Sequence, residues 1–165
     1  MATPRSRVYE VRTEFRAPMD FVLRWCTDYS SDDAKLEGEK FRRRVIERSR
    51  RRIVYEDLDE TPTGWSWAHW TIIVHPPDHW HGDSVGSLRG WSIDYRLKPL
   101  PNGRTQFTMR GRRFPLGIGT KNPPKRELES DLAKNWRAFG RALEADYRKS
   151  LRAGARRRRH ASART

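Results

Sequence analysis

The chain has 165 residues, near the usual size of one domain and able to bury roughly two thirds of its unfolded surface. Hydrophobic residues make up only 35% and charged residues 34%, but seven Trp, six Phe and five Tyr supply large apolar area, which excludes a disordered chain and predicts an aromatic core. A formal net charge of +14, the single cysteine Cys26 and the shortness of apolar runs such as Ile72-Ile73-Val74 exclude an internal disulfide and a membrane-spanning helix; with no secretory segment after Met1, they predict a soluble, cytoplasmic protein in a reducing compartment.

Period-two alternation opens the chain. From Arg7 to Arg16, Tyr9, Val11, Thr13 and Phe15 take one face while Glu10, Arg12, Glu14 and Arg16 take the other, the pattern of a half-buried strand. Pro18 breaks it. Met19 to Thr27 predicts a short helix through Phe21, Val22 and Trp25, and a polar helical turn from Asp32 to Glu37 stops at Gly38. Phe41 to Arg48 and Ile53 to Asp59 both alternate and predict a hairpin. Trp65 to His75 is a long strand halted by Pro76-Pro77-Asp78, and the histidines just beyond it read as part of an exposed connection. Ser87 to Leu97 follows, with Trp91, Ile93, Tyr95 and Leu97 on one face, and Pro101-Asn102-Gly103 turns the chain into Arg104 to Phe114. The expected sheet is antiparallel and meandering.

The last third is helical. From Pro124 to Arg152, Leu128, Leu132, Trp136, Phe139, Leu143, Tyr147 and Leu151 recur three or four residues apart and form one apolar stripe. Asn122 can cap the start, Glu127, Glu129 and Asp131 lie near the positive end of the helix dipole, and Arg148, Lys149 and Arg152 lie near the negative end. At about 1.5 Å per residue this helix would reach on the order of 43 Å, enough to lie across the whole width of a sheet. Residues 153–165 hold Arg156, Arg157, Arg158, Arg159 and Arg164 and no acid, which predicts a basic, disordered tail after a single domain of residues 1–152. The run reads either as a solvated tail or as a footprint for non-specific contact with nucleic acid or an anionic surface. It lacks the base-stacking aromatics and paired metal ligands of sequence-reading modules.

Three local features accompany this order of elements: Phe15-Arg16-Ala17-Pro18 followed by Phe21-Val22, Tyr95-Arg96-Leu97 before the Pro99 to Gly103 turn, and the terminal helix with Trp136. Together, over about residues 7–152, they resemble the helix-grip fold of the START-like (SRPBCC) superfamily, which includes birch-pollen-allergen-like, polyketide cyclase or aromatase-like, and coenzyme Q-binding START-type proteins. The resemblance implies an α+β fold in which a curved antiparallel sheet wraps a long C-terminal helix, with two short helices after the first strand. It also implies a cavity for hydrophobic or amphipathic molecules. It carries over no catalytic residue.

Alternation and helical phase make Trp67, Trp91, Tyr95, Phe107, Met109, Trp136 and Phe139 the inner-face candidates for ligand binding. Both faces of Trp65 to His75 are apolar, so either Trp67 and His69 or Trp70 and Ile72 point inward. His69 and Tyr95 are the candidate proton carriers, His69 reading otherwise as a core histidine. Gly140, one turn past Trp136, costs roughly 1 kcal/mol relative to alanine, and either leaves room for a ligand or allows a strand to approach. His75, His79 and His81 have the density of a zinc set, but beside a turn and without a distant partner they predict no metal site, and no cofactor is called for. Cys26 reads as a buried inert thiol, Gly117-Ile118-Gly119 as a loop without the dinucleotide fingerprint, and Ser84-Val85-Gly86 as no nucleophile elbow. Arg42, Arg44 and Arg48 share one face of the hairpin and Arg43 takes the other, which reads either as exposure on an edge hairpin or as at least one guanidinium on the inner side, able to bind a carboxylate or phosphate.

The expected function is binding of a small hydrophobic or aromatic ligand, optionally with an anionic end, between the sheet and the C-terminal helix. The alternatives are a cyclase or aromatase acting on a polyketide-like substrate, and an accessory protein whose basic face, Arg156 to Arg159 included, docks on nucleic acid or an anionic surface.

Overall fold

Each alternating run of the sequence forms a strand in the computed structural model, which describes residues 7–37, 41–62, 64–116 and 121–162, the side chains of Glu37 and of residues 156–162 excepted. In chain order the elements are β1 (Arg7–Phe15), α1 (Met19–Cys26), α2 (Asp33–Glu37), β2 (Phe41–Arg48), β3 (Arg52–Thr61), β4 (Gly64–His75), β5 (His79–Gly86), β6 (Arg89–Leu100), β7 (Arg104–Pro115) and α3 (Lys125–Ser162). The expected Gly38 stop, Gly117-Ile118-Gly119 and Arg164 lie outside the described residues. The strands make one antiparallel sheet in the order β1-β7-β6-β5-β4-β3-β2. The meander thus runs from one edge to the seventh strand, and β1 closes beside it.

One strand was not expected. His79 to Gly86 is β5 and not a connection, paired with β4 from Ala68↔Gly86 to His75↔His79 and with β6 from His79↔Arg96 to Ser84↔Trp91. Its inner positions are Trp80, Gly82, Ser84 and Gly86, so only one of four carries a large apolar side chain and the alternation is silent. The terminal helix also differs from the expectation. It continues past Arg152 to Ser162, 38 residues or about 57 Å, because alanine and arginine are strong helix formers and the basic segment is made largely of them. Asn122 does not cap this helix; its amide instead donates to the Arg113 carbonyl at 3.2 Å.

The core lies between the inner face of the sheet and α3. Val11 and Phe15 of β1, Phe107 of β7, Trp80 of β5, Ile72 of β4 and Leu143 of α3 are among its buried members. Where Pro18 ends the first strand, Thr105 Oγ1 donates to the Ala17 carbonyl at 2.8 Å and ties that junction to β7. α3 is fastened along β1, whose outer backbone faces no strand: Glu129 Oε1 accepts from the Glu10 amide at 2.8 Å and Glu144 Oε1 from the Arg16 amide at 2.9 Å. At the turn between β6 and β7, Asn102 (φ 63°) and Gly103 (φ 66°) both take left-handed backbone, which these two residue types accept at least cost.

Candidate functional site

The strands and α3 enclose a cavity of about 420 Å³. Its aromatic wall comes from several elements: Trp25 from α1, Trp70 from β4, Trp80 from β5, Trp91 and Tyr95 from β6, Trp136 and Phe139 from α3. The rings lock one another in place. Trp80 stacks on Tyr95 with centroids 4.8 Å apart, Tyr55 is stacked on Trp70 at 6.1 Å, and Trp25 meets Phe139 edge to face at 6.1 Å. Trp136 Nε1 donates to Met109 Sδ at 3.3 Å. Of the expected ligand-binding residues, Trp91, Tyr95, Met109, Trp136 and Phe139 line the cavity.

Four do not. Trp67 is 49% exposed, and His69 shares its outer face, with Nδ1 3.5 Å from Glu56 Oε1. The cross-strand register decides the face: Tyr55↔Trp70 brings Trp70 beside the buried Tyr55, while Leu58↔Trp67 and Glu56↔His69 pair outward. His69 is therefore no proton carrier for this cavity, and Tyr95 is the remaining catalytic candidate. Phe107 is fully buried behind the wall, 4.0 Å from Trp136 and 5.5 Å from Phe15 by ring centroids. Gly140 leaves no ligand space, because a Cβ there would lie 3.0 Å from Phe15 Cε1; the glycine permits close approach of the end of β1.

The cavity is polar at two ends. At the closed end, Arg43 is the inward guanidinium of the hairpin, but its bonds are already made. Nε and Nη2 hold the two Asp57 oxygens at 2.8 Å each, and Nη1 donates to Asp33 and to the Ser30 carbonyl. Its plane lies 4.2 Å from the Tyr55 ring centroid. Beside it, Trp80 Nε1 donates to Tyr29 Oη at 3.1 Å. At the other end Arg89, Arg113, Asp59, Asp131 and Ser84 line the cavity, and Arg89 and Asp131 are exposed, so this end opens to solvent. Arg113 reaches over the Trp91 ring at 5.9 Å. Both arginines were legible: the inner series Trp91-Ile93-Tyr95-Leu97 extended back two residues reaches Arg89, and Phe107-Met109-Gly111 extended forward reaches Arg113.

No family model matches the sequence, and no curated protein matches it. Solved structures do. The aromatase/cyclase Zhui from Streptomyces sp. R1128 superimposes with a TM-score of 0.69 at 16% identity, over 91% of this chain and 98% of its own. The chain has the START-like helix-grip fold. A START superfamily protein from Mycobacterium smegmatis matches with a TM-score of 0.60 at 10% identity, over 86% of this chain and 97% of its own. The di-domain aromatase/cyclase StfQ of the steffimycin biosynthetic pathway matches at 0.63 and 16%, over 90% of this chain and 52% of its own.

Burial acts on several titratable groups of the START-like cavity. Burial pushes the Cys26 thiol well above its usual range, with Asp33 and Asp28 adding to the shift, so the thiol is protonated and unreactive at neutral pH. Burial does the same to the Tyr29 and Tyr55 phenols. Burial also raises Asp59, with the neighbouring Asp57 charge contributing and Arg89 opposing. Outside the cavity, His75 and His79 stack at 4.7 Å, His79 Nδ1 lies 2.9 Å from Asp78 Oδ1, and His81 sits between Asp94 at 2.9 Å and Asp83 at 3.0 Å. Among the described residues no group of His, Cys, Asp and Glu is arranged to hold a metal ion, and no helix is long and apolar enough to cross a membrane. The side chains of Arg156 to Arg159, expected to contact anionic surfaces, lie outside the described residues.

Proposed function

We propose that this protein binds one small hydrophobic or aromatic molecule in the START-like cavity between the sheet and α3. The observation that carries the reading is the enclosed volume of about 420 Å³, walled by indole and phenyl rings from four strands and two helices. That volume falls within the usual range for small-molecule sites, and an apolar wall with few polar groups suits a carrier. The test uses 1-pyrenebutanol, an uncharged aromatic probe. It should bind at one per chain and quench tryptophan emission by energy transfer. Ala68 lines the cavity, so Ala68→Phe should fill part of the space and abolish binding while the chain stays folded. Absence of binding, or binding indifferent to Ala68→Phe, overturns the proposal.

A second reading is a cyclase or aromatase reaction on a polyketide-like chain in the same cavity. It is supported by Tyr95, whose ring is positioned by the stack on Trp80, and by Zhui and StfQ being aromatase/cyclases. There, shape would fold the substrate and the phenol would exchange a proton with it. Cyclised product from a linear poly-ketone thioester, lost in Tyr95→Phe while 1-pyrenebutanol still binds, would separate this reading from a carrier.

A further inference from the structure

Building on the cavity reading, we infer that the open end is an anion site: the guanidinium groups of Arg89 and Arg113 take the carboxylate or phosphate of an amphipathic ligand whose aromatic body lies against Trp91 and Trp136. Both arginines stand on the inner face of the sheet and line the cavity that these rings wall. Among the described residues neither forms an ion pair. Asp59 and Asp131 line the same cavity, yet among the described residues no carboxylate oxygen comes within 4.0 Å of either guanidinium. Arg113 makes only two bonds there, both from Nη1 at 3.4 Å, to the Lys121 carbonyl and to Asn122 Oδ1, so its remaining donors face no described partner.

The contrast with Arg43 carries the inference. Arg43 also lines the cavity, but it is neutralised by two aspartates, which makes it part of the frame. Arg89 and Arg113 are like charges close enough to affect one another, and no described carboxylate is bonded to either, Asp59 acting on Arg89 only from beyond ion-pair distance. Burial disfavours the charged form of Arg113 and the Arg89 charge disfavours it further. An anion held between the two forks relieves both effects, and guanidinium geometry matches carboxylate and phosphate oxygens in pairs. The ring of Trp91 under Arg113 joins this polar end to the aromatic wall, so head and body of one molecule would be held in continuity.

The experiment compares 1-pyrenebutanol, 1-pyrenebutyrate and the phosphate monoester of 1-pyrenebutanol, which share ring and tail and differ in headgroup. An anionic probe should bind about tenfold more tightly than the alcohol, and the tighter of the two anions names the headgroup. Arg89→Gln and Arg113→Gln should each remove most of that preference, read as the ratio of anion to alcohol affinity within each variant. Arg89 is exposed, so its variant keeps the test usable if Arg113→Gln is unstable. Arg104→Gln, at the opposite end of β7, removes the same charge elsewhere and should leave the preference intact. Equal affinities for alcohol and anions, a preference that survives the double variant, or a preference lost equally in Arg104→Gln would overturn the inference while the cavity reading stands. Failure of the alcohol itself to bind would instead remove the cavity reading, and the inference with it.

Discussion

Gly140 and Phe15 occupy one another's space, and that fixes what substitutions there must do. A Cβ at 3.0 Å and 3.2 Å from Phe15 Cε1 and Cδ1 forces a buried ring to shift, so Gly140→Leu should overpack the core and lower stability by about 1–3 kcal/mol, read from urea unfolding. Tyr9 is the reverse case. Its ring is fully buried and its hydroxyl has no hydrogen-bond partner among the described residues. Removing an unsatisfied buried oxygen costs nothing, so Tyr9→Phe should leave stability unchanged or raise it by about 1 kcal/mol. His81 gives a pH signature. Burial works against its charged form, but the hydrogen bonds to Asp94 and Asp83 outweigh it and hold the pKa above the ordinary 6.5. Since the folded value is the higher one, the stabilisation is fully present below about pH 6.5 and is lost as pH rises through the folded value. The urea midpoints of wild type and His81→Gln should therefore differ more at about pH 6 than at about pH 9.

At the scale of elements, the buried cluster of Arg43 with Asp57 and Asp33 pins the β2–β3 hairpin to α2. The Arg43 side chain is only 5% exposed, so Arg43→Met leaves two aspartates near one another without their cation and should cost about 3 kcal/mol, with faster amide exchange along β2. What the sequence disclosed at this scale depended on whether one pattern dominated. β1 and the apolar stripe of α3 were plain because their two faces differ. β4 has Trp65 and Trp67 on one face and Trp70 and Ile72 on the other, so only its register with β3 could choose between them. β5 was hidden by glycines at two inner positions, and with it Trp80, although that ring is 1% exposed and central to the wall. The alternation set Arg43 on the face opposite Arg42, Arg44 and Arg48 without saying which face is inner; its two carboxylate partners, one of them on a different element, were not foreseen, because nothing local links Asp33 to the hairpin.

For the whole molecule, the order of strands and helices carried the helix-grip architecture, while the cavity required packing that no short motif encodes. Occupancy of that cavity should register globally. A ligand that binds only the folded chain adds about 2.7 kcal/mol at a hundred times its Kd, so the thermal midpoint should climb with 1-pyrenebutanol concentration in wild type and stay flat in Ala68→Phe.

The two ends of the sheet have a bearing on solubility. Glutamates of α3 already occupy two outward amides of β1, leaving fewer free for another chain to pair with. The opposite border, β2, pairs with no strand beyond it among the described residues, but it carries exposed Arg42 and Arg44 and a register shift between Val45 and Glu47. Two copies laid edge to edge there would face arginine with arginine across an irregular backbone. Replacing Arg42 and Arg44 with threonine should lift this barrier, and light scattering at rising protein concentration should then show self-association that the wild-type chain resists.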